Sequence, residues 1–396
     1  MATKITNETL NIPSELKAEI KNEVDKAMLE TLNVSTKEEF DSVIEGLRNG
    51  VKSMDPKQVS KSKRDIQNLV GDVVLKVFSQ DLFTNNIVKG ESLLKYFNDG
   101  YLDFGNTKEY ILEPLTGFTD FDPNAFIPTE ITEIPVESCV ISFYEADGKT
   151  LSANSKKWVK ELTLIEKNLI QYFLSGKCFE FISKKIAAMA ESLLIGQMAK
   201  ILEFITTATP QKVIDLDSDT KFTPEGATNA AEAWVKIFNI INDMQQPSAD
   251  YAYKAGSVVP RTASQSDLII FGNVKVFQFL KNMKAFIFHS DLFQPIQDLT
   301  NENFFIVPRK YIVSDNKTPI KTSEDYYLDE NTLYILDRNE SIKIAYVLEE
   351  YAEQFFGKNL AIGRFKHLWF TWGILNWAKM CKITSTKLMV DVNQQA

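Results

Sequence analysis

The chain has 396 residues, a formal net charge of −9, 44% hydrophobic residues and 24% charged residues. Those proportions exclude general disorder and allow two or three folded units. The acidic balance excludes a body that grips nucleic acid by neutralising phosphates.

The three cysteines, Cys139, Cys178 and Cys381, are far apart and odd in number, so they predict structural thiols in a reducing compartment, not a disulfide framework. No run approaches the roughly 18 continuous apolar residues of a membrane span. Met1 to Leu32 is polar, without a signal peptide's apolar stretch, so use in a cytoplasm and no membrane contact are expected.

In chain order, Leu16, Ile20, Val24 and Met28 recur every four residues and predict a short amphipathic helix. Ser35, with Glu38 three residues later, suggests a capping box before Phe40, Val43, Ile44 and Leu47, and Gly50 can stop that helix. Residues 1–128 are expected to form an N-terminal arm with helical patches, ordered only against something else. Ile66, Leu69, Val70, Val73, Val74 and Val77 give a third helical pattern behind Lys57, Lys61, Lys63 and Arg64. That basic cluster reads as a solvated helix face or a nucleic-acid contact.

Residues 129–160 change to β-prone character at Ile131, Ile134, Val136, Val140, Ile141 and Phe143. Asp147-Gly148 supplies a hairpin turn, and Lys149 to Trp158 is the expected second arm. Pro135 places this ribbon at an edge or in projection. A lone two-stranded ribbon is marginal in water and needs a neighbouring surface.

Residues 161–210 carry helical spacing from Leu162 and Ile165 through Phe179, Ile182, Ile186, Met189, Leu193 and Ile201 to Ile205. Gly176 breaks the run, leaving a rod from Cys178 to Ile205 of about 40 Å at 1.5 Å per residue. Residues 211–338 read as α/β. They offer a helix over Thr228–Met244, strands at Asp267–Phe271, Phe304–Val307, Tyr311–Val313 and Leu333–Leu336, and helical spacing from Val276. In residues 339–396, Ile342, Ile344, Tyr346 and Leu348 alternate as a strand. The aromatic block Phe355, Phe356, Phe365, Trp369, Phe370, Trp372 and Trp377 reads as core.

Catalytic and metal motifs do not assemble. His289 and His367 lack a partner at metal spacing. Gly148-Lys149-Thr150 resembles the end of a phosphate loop, but Phe143 stands where its first Gly belongs. Asp215, Asp217 and Asp219 alternate like a calcium loop, but Thr220 replaces the required Gly and Gly226 the required Glu. No cofactor and no catalytic residue is expected.

The order of parts resembles the Hong Kong 97-like fold of tailed-phage major capsid proteins, of the short-tailed podovirus type. Glu130 to Trp158 is similar to the E-loop hairpin, Cys178 to Ile205 to the spine helix, residues 211–335 to the axial domain, and residues 340–385 with flanking pieces to the peripheral domain. Ala263 to Asn273 is similar to a recurring axial-domain strand. The resemblance implies an α+β fold and a non-enzymatic subunit that self-assembles into pentamers and hexamers. Those would build an icosahedral shell around double-stranded DNA, enclosed without sequence-specific binding. Implied partners are further copies of the chain, a portal, and scaffolding or head-fibre proteins, in a virion capsid assembled in the host cytoplasm. The contact residues it suggests are Val136, Val140, Phe143 and Asp147 in the hairpin and Phe293, Phe304 and Phe305 in the axial region. Two other readings remain: an enzyme or ligand-binding protein using Asp215, Asp217, His289 and Arg309, and a tail or connector protein.

Overall fold

Amphipathic spacing in the first eighty residues produces three helices: α1 (Ser14–Leu32), α2 (Lys37–Val51) and α3 (Pro56–Phe78). The computed structural model describes residues 14–78, 94–112, 137–210, 212–215, 237–245, 267–277, 304–314, 318–356 and 361–385. The capping box of α2 is one residue later than the sequence suggested. Thr36 Oγ1 accepts from the Glu39 amide at 3.3 Å, and the Glu39 carboxylate accepts from the Thr36 and Ser35 amides. Gly50 does not end α2. It is buried against α3, and a Cβ there would overlap Ser62 Oγ.

These helices do not form the expected extended arm. Both α1 and α2 pack on α3, and α1 also meets the long helix described below. Ile20, Val24, Phe40, Ile44, Ile66, Val70 and Val74 lie in the main core of the molecule. The reason is the breadth of the α3 stripe: Ile66, Leu69, Val70, Val73, Val74, Val77 and Phe78 are all buried, more apolar surface than one neighbouring helix covers. Lys57, Lys61 and Arg64 are exposed on the same helix, a solvated face.

Behind the helices lies a four-stranded sheet in the order β1 (Asn98–Tyr101), β11 (Ile342–Phe356), β12 (Ala361–Ile374) and β4 (Ser155–Ile165). Lys366 on β12 is buried, and its ammonium donates at 2.8 Å to the carbonyl of Phe78, the last residue of α3. That bond satisfies a carbonyl the helix end leaves open and places a cation where the helix dipole favours one. A short helix, α4 (Glu166–Leu174), follows β4 directly. Leu162 and Ile165 are therefore strand residues, not helical ones. At Gly176 (φ 75°) the Gly176 and Lys177 amides donate back to the Phe173 and Tyr172 carbonyls, a Schellman ending that halts the helix.

The rod-like helix α5 (Cys178–Thr207) has 30 residues and closely matches the expected rod. Gly196 lets it approach the sheet: a Cβ there would stand 3.0 Å from the Trp158 ring of β4.

A second sheet has five strands in the order β5 (Lys212–Asp215), β13 (Met380–Thr384), β10 (Thr332–Asp337), β6 (Leu268–Asn273) and β7 (Phe304–Val307). Every residue of β6 and β10 is buried, which explains their short continuous apolar runs. Residues 237–245 and 274–277 are helical and overlap the two expected helices. The C-terminal strand β13 joins this sheet instead of following β11 and β12, because β5 and β10 leave a slot that it fills with paired neighbours on both edges. The architecture is α+β, with two two-stranded ribbons attached to it. Among the described residues no helix is long and apolar enough to cross a membrane.

Candidate functional site

The first ribbon pairs β2 (Thr107–Leu112) with β3 (Glu137–Ser142), antiparallel, from Thr107 opposite Ser142 to Leu112 opposite Glu137. Directly opposed residues share a face, and faces alternate along each strand. One face is seated on the body. Leu112 and Cys139 cluster with Leu375, Trp377 and Ala378, and the Trp377 indole donates to Glu340 at 2.8 Å. Ile141 fills the space left by Gly373, where a Cβ would lie 2.8 Å from its Cδ1. Burial pushes the Cys139 thiol up, and burial followed by the Asp99 carboxylate pushes the Tyr110 hydroxyl up.

The other face carries Glu109, Ile111, Ser138 and Val140, all exposed. Ile111 is 62% and Val140 54% accessible. They sit diagonally across the ladder, since Val140 opposes Glu109 and Ile111 lies two residues further along β2. Two large aliphatic side chains on one water-facing patch with a carboxylate make a surface suited to a protein partner.

After Ser142 the chain turns as the sequence indicates. Gly148 has φ 67°, and Asp147 Oδ1 accepts from the Lys149 and Thr150 amides at 2.8 Å each. Those bonds and the Thr150 hydroxyl hold the Asp147 carboxyl below its ordinary range, the hydroxyl contributing most. The ribbon expected over residues 129–160 is nevertheless a different object from Glu137 onward, its earlier residues lying outside the described ones. Past the Tyr144–Leu151 bridge the two arms separate, and β4 runs along β12 from Ser155 opposite Thr371 to Ile165 opposite Ala361. An eleven-residue strand gains a full ladder on β12, which the tip of a hairpin cannot supply. Lys157 covers this junction: its ammonium donates to the Tyr144 hydroxyl at 2.7 Å and lies 4.2 Å from the Trp369 ring centroid.

The contact residues expected from sequence divide sharply. Val140 and Asp147 are exposed. Phe143 is 0% accessible and stacked on Trp369, and Phe304 is 7% accessible against Phe277. Phe305 is half-buried beside Phe271. Phe143 and Phe304 fill the interior of the chain, while Phe305, next along β7, is only partly covered. The Phe143 amide donates to the Asn106 carbonyl at 2.8 Å. Val136 and Phe293 lie outside the described residues, as do Asp217 and His289. Asp215 on β5 is exposed. Arg309 is exposed too and bonds the Tyr326 hydroxyl at 3.4 Å, which raises its pKa. His367 lies on β12. All three cysteines are buried thiols.

The strand expected at Tyr311–Val313 is β8 (Arg309–Ile312), and it forms a second ribbon with β9 (Lys321–Tyr326), which the sequence reading missed. Tyr311 packs toward the core beside Tyr327, ring centroids 6.4 Å apart, and the Tyr311 amide donates to the Tyr327 hydroxyl at 3.2 Å. Ile312 lies on the opposite side from Tyr311 and pairs directly with Lys321, while Lys310 stands at the register shift between Arg309 and Tyr311. Lys310, Ile312 and Lys321 are exposed, Ile312 to 51%. The missed strand β9 is the polar stretch Lys321–Tyr326, which carries no apolar pattern to signal it.

No protein-family model matches the chain, and no curated protein matches it by sequence. Among solved structures it is similar to the capsid of Staphylococcus phage Andhra at 13% identity and TM-score 0.44, covering 72% of this chain and 82% of that one. The procapsid of satellite phage P4 with its size determination protein gives 10% identity and TM-score 0.41, covering 76% and 96%. A virus-like particle from Pyrococcus furiosus gives 11% identity and TM-score 0.38, covering 76% and 95%.

Proposed function

We propose that this chain is the major capsid protein of a tailed bacteriophage with a Hong Kong 97-like fold, a structural subunit and not a catalyst. In this reading copies form pentamers and hexamers of an icosahedral shell around double-stranded DNA. The four-stranded sheet with α5 serves as the peripheral domain and the five-stranded sheet as the axial domain. The ribbon of β2 and β3 takes the E-loop role. The observation that carries the reading is that ribbon: one face anchored in the body, the other presenting Ile111 and Val140 to water, on a molecule built along a 30-residue helix. A surface of this kind gains its stabilisation when sister copies cover it, and contacts between unlike patches close into rings when the rotation permits.

The net charge of −9 suits a wall that encloses DNA without gripping it. A portal, scaffolding proteins and head-fibre proteins are the further partners of such a shell, which would assemble in the host cytoplasm and end in the virion. Electron microscopy of the purified full chain tests this. Closed shells or rings of five and six are expected; a small oligomer without rings at any concentration or salt would overturn it.

A further inference from the structure

The two ribbons carry complementary free faces. On the β2–β3 ribbon, Glu109 stands beside the exposed aliphatics Ile111 and Val140. On the β8–β9 ribbon, Lys321 pairs directly with the exposed Ile312, and Lys310 is exposed on the same strand as Ile312. Each pattern sets a charge beside an exposed aliphatic, and those charges have opposite sign; Glu324 and Asp325, further along β9, are also exposed. In both cases the opposite face is already committed, to Leu375 and Trp377 for the first ribbon and to Tyr327 for the second. Both free faces stay exposed within one chain, so neither covers the other there.

We propose that the outer face of the β2–β3 ribbon of one copy docks on the outer face of the β8–β9 ribbon of a second copy. This deepens the shell reading and rests on it. Aliphatic contact among Ile111, Val140 and Ile312 supplies the burial, while Glu109 against Lys310 and Lys321 fixes register and rejects wrong partners. The contact joins two different patches of identical chains, so it is heterologous and propagates around a ring. Its ionic margin is exposed, so added salt screens it over about 10 Å at 0.1 M.

Charge reversal tests the pairing. E109K alone, and K310E with K321E alone, are each expected to raise the concentration needed for assembly by about tenfold or more, with the melting temperature of the subunit unchanged. Combining all three restores opposite charges and is expected to recover assembly. If the wild-type chain assembles and neither reversal impairs it, or the combination is no better than its parts, the ribbon pairing is wrong while the shell reading stands. If the wild-type chain never assembles, both fall. E109Q and K321Q guard against a misfolded reversal: each should flatten the salt dependence of assembly, and a salt dependence as steep as wild type in both overturns the pairing.

Discussion

The α1–α3 bundle and the β2–β3 ribbon are both amphipathic additions to the central sheet and helix, yet they reach opposite ends. The bundle closes on itself and on α5, with Ile20, Val24, Val70 and Val74 at or below 1% accessibility. The ribbon seats Leu112, Cys139 and Ile141 and leaves Ile111 and Val140 in water. The difference follows from geometry. A helix can turn its single apolar stripe toward the body, and three helices can share one interior. A two-stranded ribbon has two faces by construction, and the body covers only one. The bundle is therefore read as finished within the subunit and the ribbon as completed by a neighbour.

One chemical change at two places sharpens that contrast. Val24→Asp puts a carboxylate into the shared core and is expected to cost about 4 kcal/mol or enough to unfold the subunit, as thermal or urea unfolding would show. Val140→Asp faces Glu109 across the ladder and is expected to cost only about 1 kcal/mol in unfolding while suppressing assembly. Equal effects of the two substitutions on unfolding would erase the distinction.

A smaller effect comes from Cys178, at the start of α5 beneath the bundle. Burial raises its thiol from an ordinary 9.0 to about 12. In the unfolded chain the thiol ionises near its ordinary value while the folded chain keeps its proton. The folded state then binds more protons, and stability falls as pH rises from about 9 towards 12, by up to about 1.4 kcal/mol per unit. Cys178→Ala is expected to lose stability less steeply over pH 9–11, measured by urea unfolding. Parallel losses in the two chains would mean that water reaches this thiol.

Much of the frame was legible wherever local pattern and final environment agree. The α5 rod, β6, β7, β10 and the Asp147-Gly148 turn each announce themselves by helical spacing, by a short apolar run or by a residue that tolerates the left-handed region. What escaped depends on distant partners. The strand β12 hides because two of its inward positions are Arg364 and Lys366, both buried, which breaks the expected apolar alternation. Lys366 is held there by the last carbonyl of α3, 2.8 Å away, a contact across most of the chain. The partner of β3 was misassigned for the same reason. Nothing near residue 140 reveals that Thr107–Leu112 pairs with it and that β12 claims the arm beyond the turn. Of the contact residues expected from sequence, Val140 and Asp147 lie on the surface, whereas Phe143 and Phe304 are buried aromatics, a class of residue that local pattern does not assign to core or contact.

Hydrogen–deuterium exchange on dissociated subunits and on the assembled particle tests the central claim most directly. Backbone amides of residues 107–112 and 137–142 should become strongly protected on assembly, while those of α1–α3, already closed, should change little. An assembled particle whose ribbon exchanges as fast as in the free subunit would contradict the account.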